Sequence, residues 1–332
     1  MTYDALRQLF AFPKPAFMTE PTLHHVACHD ASGGHRMAYW QWGDPRSAHV
    51  VLCVHGLTRQ GRDFDALTLS LLARAGSDLR VVCPDIVGRG ESDWLANPDG
   101  YQLPQYAADV IALISQLHSE QAIGTLDYVG TSMGGLIGIA LAGSPGVPLP
   151  SPIRRLVLND VGPTLDPAAL KRIGAYIGHG GTYETLDSAA DALWALSSTF
   201  GPHSSAQWLE LSRHMVVPAA SRTEAGDAKV AGSGDVGPYV LHYDPAIALP
   251  LRAMSVEAAT QGETVLWALY DAISATTLLT RGAQSDLLGR ETASAMTARG
   301  PHARVVEFAG VGHAPTFVAA DQIAAVASFL ID

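Results

Sequence analysis

The residues with the clearest chemical potential are Gly130-Thr131-Ser132-Met133-Gly134. They follow the apolar run TLDYVG and open GGLIGIALAG, a stretch rich in small residues. A strand that turns at once into a helix leaves no room for side chains beside the central residue. Glycine is therefore needed on both sides, and the serine oxygen is exposed. The first helical amides and the helix dipole aim at the same point, where developing negative charge would be stabilised. A hydroxyl needs a base near neutral pH, and imidazole has a suitable pKa. Among thirteen histidines, His313 has the best setting, in Gly310-Val311-Gly312-His313-Ala314-Pro315 just beyond the last strand-like run. Asp286, in Gly282-Ala283-Gln284-Ser285-Asp286, follows the strand-like ATTLLTRG and is expected to orient that imidazole. Serine, then acid, then histidine is an order that supports nucleophilic acyl transfer by Ser132, Asp286 and His313.

A tetrahedral intermediate needs a second donor from the loop after an earlier strand. Val54-His55-Gly56-Leu57 is that loop, and the Leu57 N–H is expected to join that of Met133 as an oxyanion hole. His55 is expected to hold the loop by hydrogen bonding rather than to act as a base. Arg59, Arg62 and Arg89 fall in loops that should border the site. One of them could grip a substrate carboxylate or phosphate, while pairing with Asp63, Asp65, Glu91 and Asp93 is the simpler account of all three. Arg59, Arg62 and Trp267 are the candidate substrate contacts. Trp194, Trp208, Trp267, Tyr176 and Tyr270 could line an apolar pocket, and their helical spacing suits ordinary core equally well. His24, His25 and His29 sit on a strand whose alternation puts His25 and His29 on one face and His24 on the other. No carboxylates complete a ligand set there, so neither a metal nor a cofactor is expected.

These side chains need a scaffold that gathers strand ends. LHHVACHD and RMAYWQWG read as strands about the turn Ala31-Ser32-Gly33-Gly34. HVVLCVHG is a continuous apolar run ending at glycine, as a strand buried on both faces requires. Helix is expected from Asp63 to Ala75 and from Tyr106 to Leu117, with the strand LRVVCPD between them. TLDYVG, RRLVLND, ATTLLTRG and ARVVEFAG complete the strands. Strands alternating with helices at this spacing imply βαβ units and a mostly parallel sheet flanked by helices. Between Asp160 and Thr276 the alternation stops. Helix is expected there near Ala168 to Ile177, Ala189 to Thr199 and Ala206 to Val216, and a mobile Ala-, Gly- and Ser-rich loop from about 218 to 238.

The chain of 332 residues carries a formal net charge of −11, which argues against a nucleic-acid partner. The start, MTYDALRQLFAF, lacks the apolar core and cleavage site of a secretory signal. No stretch is long and apolar enough to span a bilayer. Cys28, Cys53 and Cys83 are too few for a disulfide framework. A cytoplasmic protein without membrane or nucleic-acid partners is expected, acting on a small molecule.

HGL at 55–57, PDIVGRGESD at 84–93, GTSMGG at 130–135, GAQSDLL at 282–288 and GVGHAP at 310–315 together resemble the α/β-hydrolase superfamily. These motifs cover the core from about 22 to 160 and from 264 to 332. The resemblance implies a triad completed by an acid after the seventh strand and a histidine after the eighth. Some members place the acid after the sixth strand, which leaves Asp160 as the alternative to Asp286. Serine at 132 departs from the aspartate nucleophile of the similar haloalkane dehalogenases and epoxide hydrolases. The loop HGLT likewise departs from the HGGG of hormone-sensitive-lipase-like esterases. The expected organisation is a leader over 1–20, an α/β core over 21–162 and 256–332, and a helical cap over 163–255, inserted after the sixth core strand. The expected reaction is hydrolysis of small or medium-sized carboxylic esters through an acyl-enzyme. C–C bond hydrolysis, lactone or thioester hydrolysis and acyl transfer would use the same residues, and a non-enzymatic ligand receptor would retain them.

Overall fold

The structure, a computed structural model, describes residues 20–76, 78–221 and 237–332. Most of the expected leader and of the loop expected at 218–238 lies outside the described residues.

Thr22–Asp30 (β1) and Gly33–Gly43 (β2) form an antiparallel hairpin. Its turn is held by Asp30, whose Oδ1 accepts from the Ser32 and Gly33 amides at 2.7 and 2.8 Å. Then come His49–Val54 (β3), Arg80–Pro84 (β4), Thr125–Thr131 (β5) and Ile153–Asn159 (β6). Val216–Pro218 (β7) and Tyr239–Leu241 (β8) make a separate two-stranded sheet, and Thr276–Gly282 (β9) and Arg304–Phe308 (β10) complete the main one. Across that sheet the order is β1-β2-β4-β3-β5-β6-β9-β10, antiparallel as far as β4 and parallel beyond it. The eight expected core strands are these eight.

β3 owes its central place to its sequence. Val50, Val51, Leu52, Cys53 and Val54 are all buried, so neither face of the strand meets water. Each such Val or Leu side chain contributes about 1.5–3 kcal/mol over its exposed state. The connection from β3 runs one way along the sheet to β4 and the later ones run the other way. With right-handed crossovers, the connecting helices fall on opposite faces. Accordingly Asp65–Ala75 (α1) packs with the C-terminal helix Ala320–Ile331 (α10), while Leu103–Glu120 (α2) packs with Met133–Gly143 (α3). Helix α2 buries Tyr106, Val110, Leu113, Ile114 and Leu117, a stripe at spacings of three and four. It begins earlier than its periodicity suggests because Pro104 fits the first turn.

Between β6 and β9 lie Pro167–Tyr176 (α4), Leu186–Ser197 (α5), Ser205–Arg213 (α6), the β7/β8 pair, Ala248–Ala253 (α7) and Val256–Asp271 (α8). The three helices expected in this segment are α4 to α6. Each starts at a side-chain cap: Asp166 accepts from the amides of Ala168 and Ala169, and Thr185 and Ser204 form capping boxes. Helix α8 differs, because it lies against α3. The contact is close enough that a Cβ on Gly143 would stand 2.0 Å from the Leu269 carbonyl oxygen. Arg290–Ala298 (α9) follows β9. Among the described residues no helix is long and apolar enough to cross a membrane.

Candidate active site

Ser132 joins β5 to α3 with φ +50° and ψ −115°, a region that L side chains seldom occupy. Such strain persists only where the surroundings enforce it. Here the Ser132 amide donates to the Asn159 carbonyl at 3.0 Å, and the Ser132 carbonyl accepts from the amides of Gly135 and Leu136. Helix α3 also presses against β3. A Cβ on Gly134 would lie 2.1 Å from the Val54 carbonyl oxygen, so only glycine lets the helix start there.

His313, in the loop after β10, brings Nε2 to 2.9 Å from Ser132 Oγ. Its Nδ1 lies 2.7 Å from Asp160 Oδ2. A carboxylate only accepts, so Nδ1 carries the proton and Nε2 is left to accept from the serine hydroxyl. Asp160 follows β6 directly and is fully buried. The Gly282 amide donates to its Oδ1 at 2.8 Å and the Ser285 hydroxyl to its Oδ2 at 2.6 Å. Next to it, Asn159 Nδ2 donates to Thr131 Oγ1 and to the Pro315 carbonyl, while its Oδ1 accepts from Thr280 Oγ1. The Asn159-Asp160 pair thus ties β5, β9 and the histidine loop to the end of β6.

The expectation that Asp286 orients His313 is corrected by this geometry. Ser285 donates its amide to the Gly282 carbonyl at 2.9 Å, closing a tight turn after β9. That turn delivers the Ser285 hydroxyl, rather than the next carboxylate, toward the imidazole. Asp286 faces outward, half-exposed, and pairs with Arg172 of α4 at 2.7 Å. The signal for Asp160 was its position at the end of the strand beside β5. Nothing local in the sequence marked Asn159 or Ser285.

Leu57 and Met133 both line the cavity that contains Ser132. Met133 opens α3, where first-turn amides have no intrahelical acceptor. Gly56 abuts the serine, since a Cβ there would be 3.7 Å from Ser132 Cβ. Behind the loop, His55 is fully buried; its Nδ1 donates to the Gly56 carbonyl at 2.7 Å, and its Nε2 accepts from the Ile86 amide at 2.9 Å. Burial drives its pKa down to about 3, so the ring is a neutral brace.

The loop arginines act mainly as structure. Arg62 pairs with Asp65 at 2.6 Å and packs over Trp40 and Trp42, away from the cavity, which corrects its assignment as a substrate contact. Arg89 is fully buried, donates to the Leu57 and Val87 carbonyls and lies over the Tyr106 ring. Arg59 does line the cavity, but Asp63 holds its guanidinium at 2.6 and 2.7 Å and the Leu211 carbonyl takes a third bond. Asp93 pairs with Arg36, not with Arg89.

The cavity encloses about 1090 Å³. Ser132 and His313 share its wall with Leu136, Val161, Ile173 and Leu241, and Tyr176 and Tyr243 add phenols. Trp267 does not line it, which corrects a second expected contact: its indole donates to Thr164 Oγ1 and Arg299 stacks on its ring. Trp194 and Trp208 meet edge to face as core, with ring centres 5.0 Å apart. The inserted segment reaches the histidine loop through Thr199, whose hydroxyl donates to the His313 carbonyl and whose own carbonyl accepts from the Gly312 amide.

Among the described residues, one buried group could supply metal ligands: Cys28, His35 and Asp109. The His35 ring and the Gln105 amide both bond the Asp109 carboxylate. Burial beside that carboxylate pushes the Cys28 thiol up to about 12, so it keeps its proton. The group ties β1 and β2 to α2. On the hairpin, His24 stacks on Tyr39, whereas His25 and His29 face outward.

Comparison with known proteins places this geometry in a family. A model described as the alpha/beta hydrolase family matches residues 51–326. The chain is 47% identical over 309 residues to a 3-hydroxybutyrate-oligomer hydrolase of Cupriavidus necator, covering 93% of this chain and 97% of that one. An alpha/beta hydrolase from Novosphingobium aromaticivorans superposes with a TM-score of 0.74 at 33% identity, covering 94% and 99% of the two chains. The structure of an E-2-(acetamidomethylene)succinate hydrolase gives a TM-score of 0.70 at 20% identity over 94% and 100%, a likeness of fold alone. With most of its length matched by the family model and by a relative of nearly equal extent, the chain belongs to the alpha/beta hydrolase family as an esterase-like member.

Proposed function

We propose that this chain hydrolyses carboxylic esters of short hydroxy acids, oligomers included, through an acyl-enzyme on Ser132. The observation that carries the reading is the continuous relay from Ser132 Oγ to His313 Nε2 at 2.9 Å and from His313 Nδ1 to Asp160 at 2.7 Å. In the first step His313 takes the hydroxyl proton as Ser132 attacks the ester carbonyl. The amides of Leu57 and Met133 receive the oxyanion. His313 then protonates the departing alcohol, and water repeats the sequence to free the acid. Asp160 keeps the imidazole in the tautomer the first step needs and stabilises the imidazolium that forms.

The substrate class draws on two supports. The Cupriavidus necator relative is named for 3-hydroxybutyrate oligomers and aligns over nearly its whole length. The cavity is also larger than a single short acyl group needs, and it is bordered by the exposed side chains of Leu196, Met254, Val256 and Val265. The described residues of 163–221 and 237–255, with α4 to α7 among them, serve as its lid over the carboxyl ends of the strands.

The test is turnover of p-nitrophenyl esters from acetate to decanoate and of 3-hydroxybutyrate dimer and trimer, by wild type and Ser132→Ala. Hydrolysis by wild type, falling at least about 10⁴-fold in the variant, is expected. Full activity in Ser132→Ala would refute the reading.

A further inference from the structure

We propose that Arg172, held at rest by Asp286, is a subsite for a carboxylate on the substrate, so that ester chains ending in a free acid are preferred. The inference rests on the reading of the chain as an ester hydrolase and adds the feature of the substrate that it recognises.

Among the described residues, two arginines line the cavity. Arg59 is nearly buried and fully engaged, and drawing it toward a ligand would strip the Asp63 carboxylate of its bidentate partner. Arg172 is placed differently. Its side chain is 40% exposed and its partner's 44%, and Nε and Nη2 both reach the same oxygen, Asp286 Oδ2, at 2.9 and 2.7 Å. An ion pair this exposed contributes little net stability, so another carboxylate can take its place at small cost. A guanidinium that engages one oxygen of its resting partner can offer a forked, two-oxygen grip to an incoming acid.

The surroundings suit an acid terminus. The cavity wall that holds Ser132 and Arg172 also includes Val161, Leu165 and Ile173, apolar side chains that suit the methylene and methyl groups of a short hydroxyacyl unit. The phenol of Tyr176, one turn further along α4, lies against the same guanidinium. The chain's net charge of −11 repels an anionic substrate at long range. A cation inside the cavity gives the acid end a favourable place once it arrives. In a hydroxyacid dimer the free carboxylate belongs to the departing hydroxyacid, so this subsite lies on the leaving-group side of the scissile bond.

The experiment compares 3-hydroxybutyrate trimer as the free acid and as its methyl ester, reading the ratio of the two kcat/KM values. Arg172→Gln is expected to lower the acid-to-ester ratio about tenfold, mainly through KM of the acid. Arg172→Lys should recover part of that loss. Asp286→Asn should raise the ratio several-fold by removing the resting competitor. A ratio unchanged within twofold in Arg172→Gln would overturn the proposal. Failure of wild type to cleave either form would instead overturn the ester-hydrolase reading, so the two failures are distinguishable.

Discussion

Asp160 and Asp286 each follow a sheet strand by a few residues, yet only Asp160 reaches His313. The difference is one of local backbone. Asp160 leaves β6 with φ +55° and is fixed by the Gly282 amide, whereas the turn after β9 spends its inward position on Ser285. The first-choice acid was therefore misread from sequence, because strand spacing gives the end of the sheet but not the direction of each side chain. Ser132 and His313 were legible because their chemistry and the glycines around them leave few alternatives. A single residue also sets a pH response. His55 is neutral in the fold, with its pKa depressed to about 3 from an ordinary 6.5, so the unfolded chain binds the extra proton. Its contribution to stability is fully present above about pH 6.5 and is lost as pH falls from there toward 3. His55→Gln removes that dependence, and the gap in melting temperature between wild type and variant is expected to narrow as pH is lowered from 7 to 5. A gap that widens on acidification would contradict the assignment.

At the scale of elements, the strand-turn-helix at Ser132 is a packing device as well as the proposed seat of catalysis. Gly134→Ala sets a Cβ against the Val54 carbonyl at 2.1 Å, so α3 must shift from β3. Overpacking of this kind costs about 1–3 kcal/mol. Thermal unfolding should show the loss, and turnover should fall with it as the serine moves from the imidazole; a variant as stable and active as wild type would disprove the close packing. Most elements were readable from sequence, because buried parallel strands are continuous apolar runs and α2 repeats its apolar residues every three or four. Boundaries shifted where a cap intervened: α5 begins at Leu186, ahead of its apolar stripe, because Thr185 and Ser188 form a capping box. Trp267 was misassigned for a related reason, and Arg62 because a place in a loop beside the site does not fix which way its side chain turns. Periodicity says which side chains turn inward, but not whether they meet a cavity or one another.

Across the whole molecule, the sheet brings together residues far apart in sequence. Ser132 ends β5, Asp160 ends β6, His313 follows β10, and Leu57 follows β3 two strands from the acid. The connections run in opposite directions along the sheet on the two sides of β3, which opens a crevice at the carboxyl ends of these parallel strands, where ligand sites of open α/β sheets lie. The segment between β6 and β9 closes over it through Thr199 at the histidine loop and Arg172 at Asp286. Sequence showed that the strand-helix alternation stops between Asp160 and Thr276, but the cavity depends on how the helices of that segment pack, which no local pattern encodes. The most direct test of the account is kcat on an uncharged ester for Asp160→Asn beside Asp286→Asn. The account predicts a fall of about 10⁴-fold for Asp160→Asn, from loss of the required imidazole tautomer. For Asp286→Asn, whose carboxylate sits in an exposed pair, it predicts no more than about tenfold. An active Asp160→Asn beside an inactive Asp286→Asn would contradict it.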